Sequence, residues 1–175
     1  LKDKAASMER RRLAKTGMLR SAHMLGNEEE IIFAATDLLA DTKLAPELSN
    51  EAHYYRAKAY LDAGKTDGAM EDLKVLAKDT RNVYGAEAKY KVAQIYFDGG
   101  QTDKAEQEVL NYIEVSTPHT YWLARSFVLL ADVYMKLGRN LDAKQYLLSL
   151  KQNYQADDDI AGMIESRLEK LKTEN

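Results

Sequence analysis

Small apolar residues, tyrosines and branched aliphatics recur three or four residues apart along most of this chain, with polar residues between them, which is the period of helices with one buried face. Successive stretches are separated by short glycine-containing turns, and turns this short force antiparallel neighbours. The pattern predicts paired helices over 50–63 and 66–79, over 85–98 and 102–115, and over 120–137 and 140–153. The turns are Gly64-Lys65, Gly99-Gly100-Gln101 and Gly138-Arg139. Each offers Gly where a helix end needs a left-handed residue, and each is followed by an N-cap candidate, Thr66, Thr102 or Asn140.

The three hairpins repeat one motif: AKAYLDAGKTDGA from Ala57, AQIYFDGGQTDKA from Ala93 and ADVYMKLGRNLDA from Ala131, with steps of 36 residues (Tyr60 to Tyr96) and 38 residues (Tyr96 to Tyr134). A period of this length predicts stacked units. Ala57, Ala93 and Ala131 are placed at the closest crossing of each hairpin, answered by Ala69, Ala105 and Ala143, because only small residues allow that approach. Tyr60, Tyr96 and Tyr134 fill the space above it. Leu73, Val109 and Leu147, then Leu76, Tyr112 and Leu150, continue the buried face.

A degenerate copy lies upstream, with a long first helix over 2–25, Gly17 as its weak point, the turn at Gly26, and a second helix over 28–41 started by Asn27 and Glu30. Ile31 stands at its small position and Ala22 at its Tyr position. Downstream, Asp157, Asp158 and Asp159 open a capping helix over 158–172. The expected fold is all-α, about four helical hairpins plus the cap, as a single domain over 1–175. Its units span 1–42, 49–82, 84–118 and 120–155, with the cap at 157–173.

Composition narrows the chemistry. The chain has 175 residues and no cysteine, which excludes disulfides, thiolate catalysis and cysteine-held zinc. A net charge of −3 argues against a chain-wide nucleic-acid role, and no apolar run spans a membrane. His23, His53 and His119 are too dispersed for a metal motif, and no phosphate loop, nucleophile elbow or zinc-protease motif occurs. We therefore expect no catalytic residue, metal or cofactor. Residues 1–25 carry seven basic and two acidic residues, including Arg10-Arg11-Arg12. The run reads as a solvated or paired helix face rather than a lipid or phosphate track, because no aromatics interleave it. The chain opens on Leu1 rather than Met, so a processed form or an excised fragment is expected.

Ala57, Tyr60, Gly64 and Ala69, with Ala93, Tyr96, Gly100 and Ala105 and then Ala131, Tyr134, Gly138 and Ala143, resemble the tetratricopeptide repeat across about residues 13–155. Two departures stand out. His53 and Lys89 occupy a position where the family expects an aromatic or Leu and only Phe127 complies, and the closing proline is absent or displaced to Pro118. Long units with Tyr84, Tyr121 and Tyr154 at their joints look more like the bacterial cell-envelope branch, which includes outer-membrane assembly lipoproteins and the Tol-Pal coordinator. The resemblance implies a right-handed α-α superhelix and a non-enzymatic adaptor for a protein or peptide partner. It favours the periplasm or cell envelope over the cytoplasm and leaves self-association open.

In this family the first helix of each hairpin lines the concave wall. The implied inner positions are Glu51, Tyr54, Lys58 and Leu61; Glu87, Tyr90, Gln94 and Phe97; and Arg125, Val128, Asp132 and Met135. From these the candidate partner-binding set is Tyr54, Lys58, Leu61, Tyr90, Gln94, Phe97, Arg125, Asp132 and Met135. Aromatics among mixed charges suit a peptide, but they serve equally to seal hairpin against hairpin. The Lys and Asn clamp that grips a free C-terminus elsewhere in the family is missing. Trp122 is expected in the joint between the second and third hairpins. Two functions follow: an interaction scaffold with a binding groove, or a structural terminal segment that assembles an envelope complex through its ends.

Overall fold

The computed structural model describes residues 2–173; among them are nine α-helices and no strand. In order they are α1 (Lys2–Leu25), α2 (Glu28–Leu39), α3 (Pro46–Asp62), α4 (Thr66–Leu76), α5 (Val83–Asp98), α6 (Thr102–Glu114), α7 (Thr120–Lys136), α8 (Asn140–Asn153) and α9 (Ile160–Thr173). Helix α3 begins four residues before the expected start, because Pro46 takes the first-turn position after extended Ala45. Asn82 caps α5 by accepting the Gly85 amide at 2.8 Å. The chain groups into two compact units, one ending at Leu76 and one starting at Ala77, where the sequence reading has a single domain.

In the first unit α1, α2 and α3 bury Leu19, Ala22, Ile31, Ala34, Ala35, Leu38, Ala52 and Ala59, and α3 pairs with α4. In the second unit α5 pairs with α6 and α7 with α8, α5 and α6 both pack on α7, and α9 closes over α7 and α8. All six alanines of the three hairpin crossings are at most 1% exposed. Tyr134 is buried, whereas Tyr60 and Tyr96 are half-buried. The Tyr60 ring lies where a Cβ on Gly68 would sit 3.0 Å away, so the missing side chain makes room for the ring.

Each first helix ends the same way. Gly26, Gly64, Gly100 and Gly138 have φ of 67°, 70°, 75° and 73°. The amide of the following residue then reaches back to a carbonyl: Asn27 to Ala22 at 3.3 Å, Lys65 to Tyr60 at 2.7 Å, Gln101 to Tyr96 at 2.8 Å and Arg139 to Tyr134 at 2.8 Å. The glycine amide bonds one residue further along, as Gly64 does to Leu61 at 3.0 Å. This is the Schellman turn. The residue closing it also opens the next helix, since the Lys65, Gln101 and Arg139 carbonyls accept from Ala69, Ala105 and Ala143. Thr66, Thr102 and Asn140 are therefore the first helical residues and not the caps. Gln101 and Arg139 cap α6 and α8 with no side-chain bond. Of the turn residues, Asn27 does cap with its side chain, accepting from the Glu30 amide at 3.2 Å.

The position at which His53 and Lys89 depart from the family pattern is matched by a partner in every hairpin. His53 of α3 faces Asp72 of α4, donating from Nδ1 at 2.7 Å. One hairpin on, Lys89 donates to Glu108 at 3.1 Å and to Asn111 at 2.7 Å. In the third, Phe127 meets Tyr146 with centroids 6.1 Å apart. Asp72 is 1% exposed and also receives Arg56 on both oxygens, at 2.7 and 2.8 Å. Burial raises the Asp72 pKa, but Arg56 and His53 outweigh it and leave the carboxyl below its ordinary value.

Two outcomes follow from this geometry. Gly100→Ala should cost about 1–2 kcal/mol in chemical denaturation, because alanine resists the left-handed conformation. Gly99→Ala should change stability by less than about 0.5 kcal/mol. Gly99 has φ −79°, and Ala63 and Leu137 occupy the same turn position at φ −81° and −85°. Equal losses at both glycines would contradict the turn. For the buried acid, Asp72→Asn should cost about 3 kcal/mol or more by stranding Arg56. A lowered native pKa stabilises the fold above the unfolded carboxyl value of about 3.9, and the contribution fades as pH falls through the native value. Melts between about pH 7 and pH 3 should therefore fall more steeply for the wild type than for Asp72→Asn.

Candidate partner-binding surface

In the first unit, Tyr54, Lys58 and Leu61 follow one another along α3 at helical spacing. Tyr54 and Leu61 are half-buried and Lys58 is exposed. The Lys58 ammonium sits 5.5 Å from the Tyr54 ring centre, within cation–π range. Behind them the Tyr55 ring stacks on His23 of α1 with centroids 3.9 Å apart. Glu51, the first residue of this stripe, accepts two bonds from Arg20 of α1, at 2.7 and 2.8 Å. Arg20 holds the Glu51 carboxyl below its usual range, although burial works against it.

In the second unit the stripe divides. Tyr90 is 4% exposed and Val128 is fully buried, so neither is the exposed inner residue expected from sequence. The stripe is broad, and its edge turns into the neighbouring first helix. There the Tyr90 ring meets Trp122 of α7 with centroids 5.6 Å apart. Trp122 thus fills the joint between the second and third hairpins. The Tyr90 hydroxyl donates to Gln94 at 2.9 Å, and Gln94 donates to Asp98 at 2.8 Å.

Arg125 gathers the ends of this network. Its guanidinium lies 5.1 Å from the Tyr90 ring centre and donates to the hydroxyls of Tyr121 at 3.0 Å and Tyr90 at 3.3 Å, and to Asp159 at 3.3 Å. Burial opposes its charge, but the two hydroxyls prevail and hold its pKa above the usual guanidinium value. Asp132 takes two bonds from Arg167 of α9, at 3.0 and 2.9 Å. Tyr154 donates to Asp158 at 2.6 Å in the α8–α9 connection, and burial followed by that carboxylate pushes its phenol up to about 12.

Three of the nine candidates, Tyr90, Arg125 and Asp132, are therefore engaged in joining one first helix to the next. Gln94, Phe97 and Met135 remain half-buried on α5 and α7, and Phe97 and Met135 rest against the core. Arg167 and Asp159 were missed in the sequence. The available signal was opposite charge one repeat apart, as in Asp132 with Arg167 and Glu51 with Arg20. A groove of about 250 Å³ lies between α8 and α9, lined by Lys144, Leu148, Lys151, Glu165 and Leu168. Among the described residues no acidic or histidine cluster could hold a metal ion, and no helix is long and apolar enough to cross a membrane.

Comparison with known proteins agrees with this architecture. Tetratricopeptide-repeat family models match residues 51–79 and 124–152. No curated protein matches the chain. The fold is similar to the crystal structure of MamA, at 21% identity and TM-score 0.60, covering 90% of this chain and 96% of that one. It is also similar to the nearly identical TPR-like repeats assigned to a kinesin light chain of Podosopora anserina. That structure gives 16% identity and TM-score 0.56 and covers 93% of this chain and 94% of its own. A variant of the same repeats gives TM-score 0.57. Two segments of the chain thus match tetratricopeptide-repeat models, and its fold is similar to that of TPR-like repeat structures.

Proposed function

We propose that the chain is a non-catalytic scaffold that holds a segment of another protein on its first-helix faces. The observation that carries this reading is the division of labour along those helices. Tyr90, Arg125 and Asp132 tie helices together, while Tyr54, Lys58 and Leu61 in the first unit and Gln94, Phe97 and Met135 in the second keep aromatic, apolar and polar groups partly open to solvent. Such residues offer contact area at little entropic cost and suit an extended or helical peptide. The joint tyrosines Tyr84, Tyr121 and Tyr154 support a place in the bacterial cell envelope, which fractionation of the parent cells would test.

Photo-crosslinking residues placed at Leu61 and Phe97 should form adducts with a protein partner in cells. The same probe at Leu141, which is 84% exposed at the start of α8, should form few. The recovered partner should then bind the Tyr54→Ser, Phe97→Ser double variant about tenfold or more weakly, with the fold verified by its melt. Adducts concentrated at Leu141 would refute the first-helix surface.

A further inference from the structure

The outward face of α1 is built like a covered surface. The turn glycines Gly26, Gly64 and Gly138 set the register between repeats. In that register Ala14 and Ser21 of α1 correspond to Ala52 and Ala59 of α3, which α1 and α2 help bury to 0% and 2%. On α7 the residues matching Ala14, Gly17 and Ser21 are Ser126, Leu129 and Val133, at 0%, 2% and 0% under α5 and α6. On α1 the same three positions are exposed. The rim is altered too. Where α3 and α7 carry Glu51 and Asp62, or Arg125 and Lys136, α1 carries Leu13 at 74% and Met24 at 86% exposure. A Cβ on Gly17, midway between them, would have no heavy atom within 4 Å.

The charges on α1 and its turn choose the occupant. Lys4, Arg10 and Arg11 are exposed near the start of α1, and Glu28, Glu29 and Glu30 are exposed just past its end. Among the described residues none of the six is in an ion pair. Apart from exposed Glu9 at the basic end and Arg20, which is bonded to Glu51 between Leu13 and Met24, the surface is basic at one end, acidic at the other and apolar between, and is complementary to itself under a two-fold axis. We propose that α1 is the interface with a second copy of this chain, two α1 helices crossing antiparallel at Gly17. Leu13 of one copy then lies by Ser21 of the other, and Arg10 lies by Met24. The basic end of each α1 runs past the partner turn that carries the three glutamates. The small residues Ala14, Gly17 and Ser21 let the axes approach closely, and Leu13 and Met24 close over the contact.

Sedimentation of the full chain across concentration should show a monomer–dimer equilibrium that weakens with salt. Leu13→Glu with Met24→Glu should weaken it at least about tenfold while the melt of the dilute monomer is unchanged, because both side chains are exposed there. Arg10→Glu with Arg11→Glu should also weaken it, and adding Glu28→Lys with Glu29→Lys should restore it. The chain lacks cysteine, so Gly17→Cys gives a single thiol. On mild oxidation it should form a disulfide-linked dimer at a concentration where Lys136→Cys stays monomeric. Three results would each overturn the proposal. One is a monomer at every concentration. Another is a dimer indifferent to Leu13→Glu and Met24→Glu. The third is a dimer broken by those changes in which Gly17→Cys does not link, since that means a head-to-tail contact.

Discussion

The left-handed glycine that ends each first helix is the constraint on which the hairpins rest. One residue reverses the chain, the next closes the turn and opens the second helix, and no linker remains to absorb error. In the three later hairpins the two axes are thereby held at a separation at which alanine fits on both sides and a larger residue does not. The tyrosine whose carbonyl accepts the closing amide of the turn also lays its ring against the start of the second helix. Lys104 stands 5.4 Å from the Tyr96 ring centre and Arg139 stands 4.1 Å from that of Tyr134. The repeated letters are thus different views of one turn.

Between first helices the logic is polar. Glu51 with Arg20, Asp132 with Arg167, and Arg125 with Tyr90, Tyr121 and Asp159 use directional bonds. Such contacts fix orientation more than they add stability, because partly exposed ion pairs are worth about 1 kcal/mol or less. In the second unit these bonds act beside an apolar core that includes Val128, Leu129, Leu130 and Val133, to which they add direction.

What was legible in the sequence was what geometry allows only one residue type to do. The turn glycines recur in all four hairpins and the crossing alanines in three of them, so they stand out unaided. The caps were misplaced because one residue both ends a helix and begins the next, and Thr66, Thr102 and Asn140 merely follow it. The start of α3 was hidden because Pro46 reads as readily as a breaker as a first-turn residue. The burial of Tyr90 and Val128 was illegible because helical spacing marks a stripe but not how much of it a neighbour covers. Asp72 was invisible for another reason: a carboxylate enters a core only with its partners, and these lie 16 and 19 residues away.

The matched pairs inside the hairpins bear on how such a chain finds its own pairing. Three hairpins with the same turns and the same alanines could exchange second helices without a steric objection. The pairs His53 with Asp72, Lys89 with Glu108 and Phe127 with Tyr146 supply a chemical one. Lys89 set against Tyr146 would bury an ammonium with no carboxylate, and Phe127 set against Asp72 would bury a carboxylate with no cation, at several kcal/mol each. Any pairing that mixes the third hairpin with the first two leaves a charge unanswered, so this position tells the apolar copy from the two charged ones.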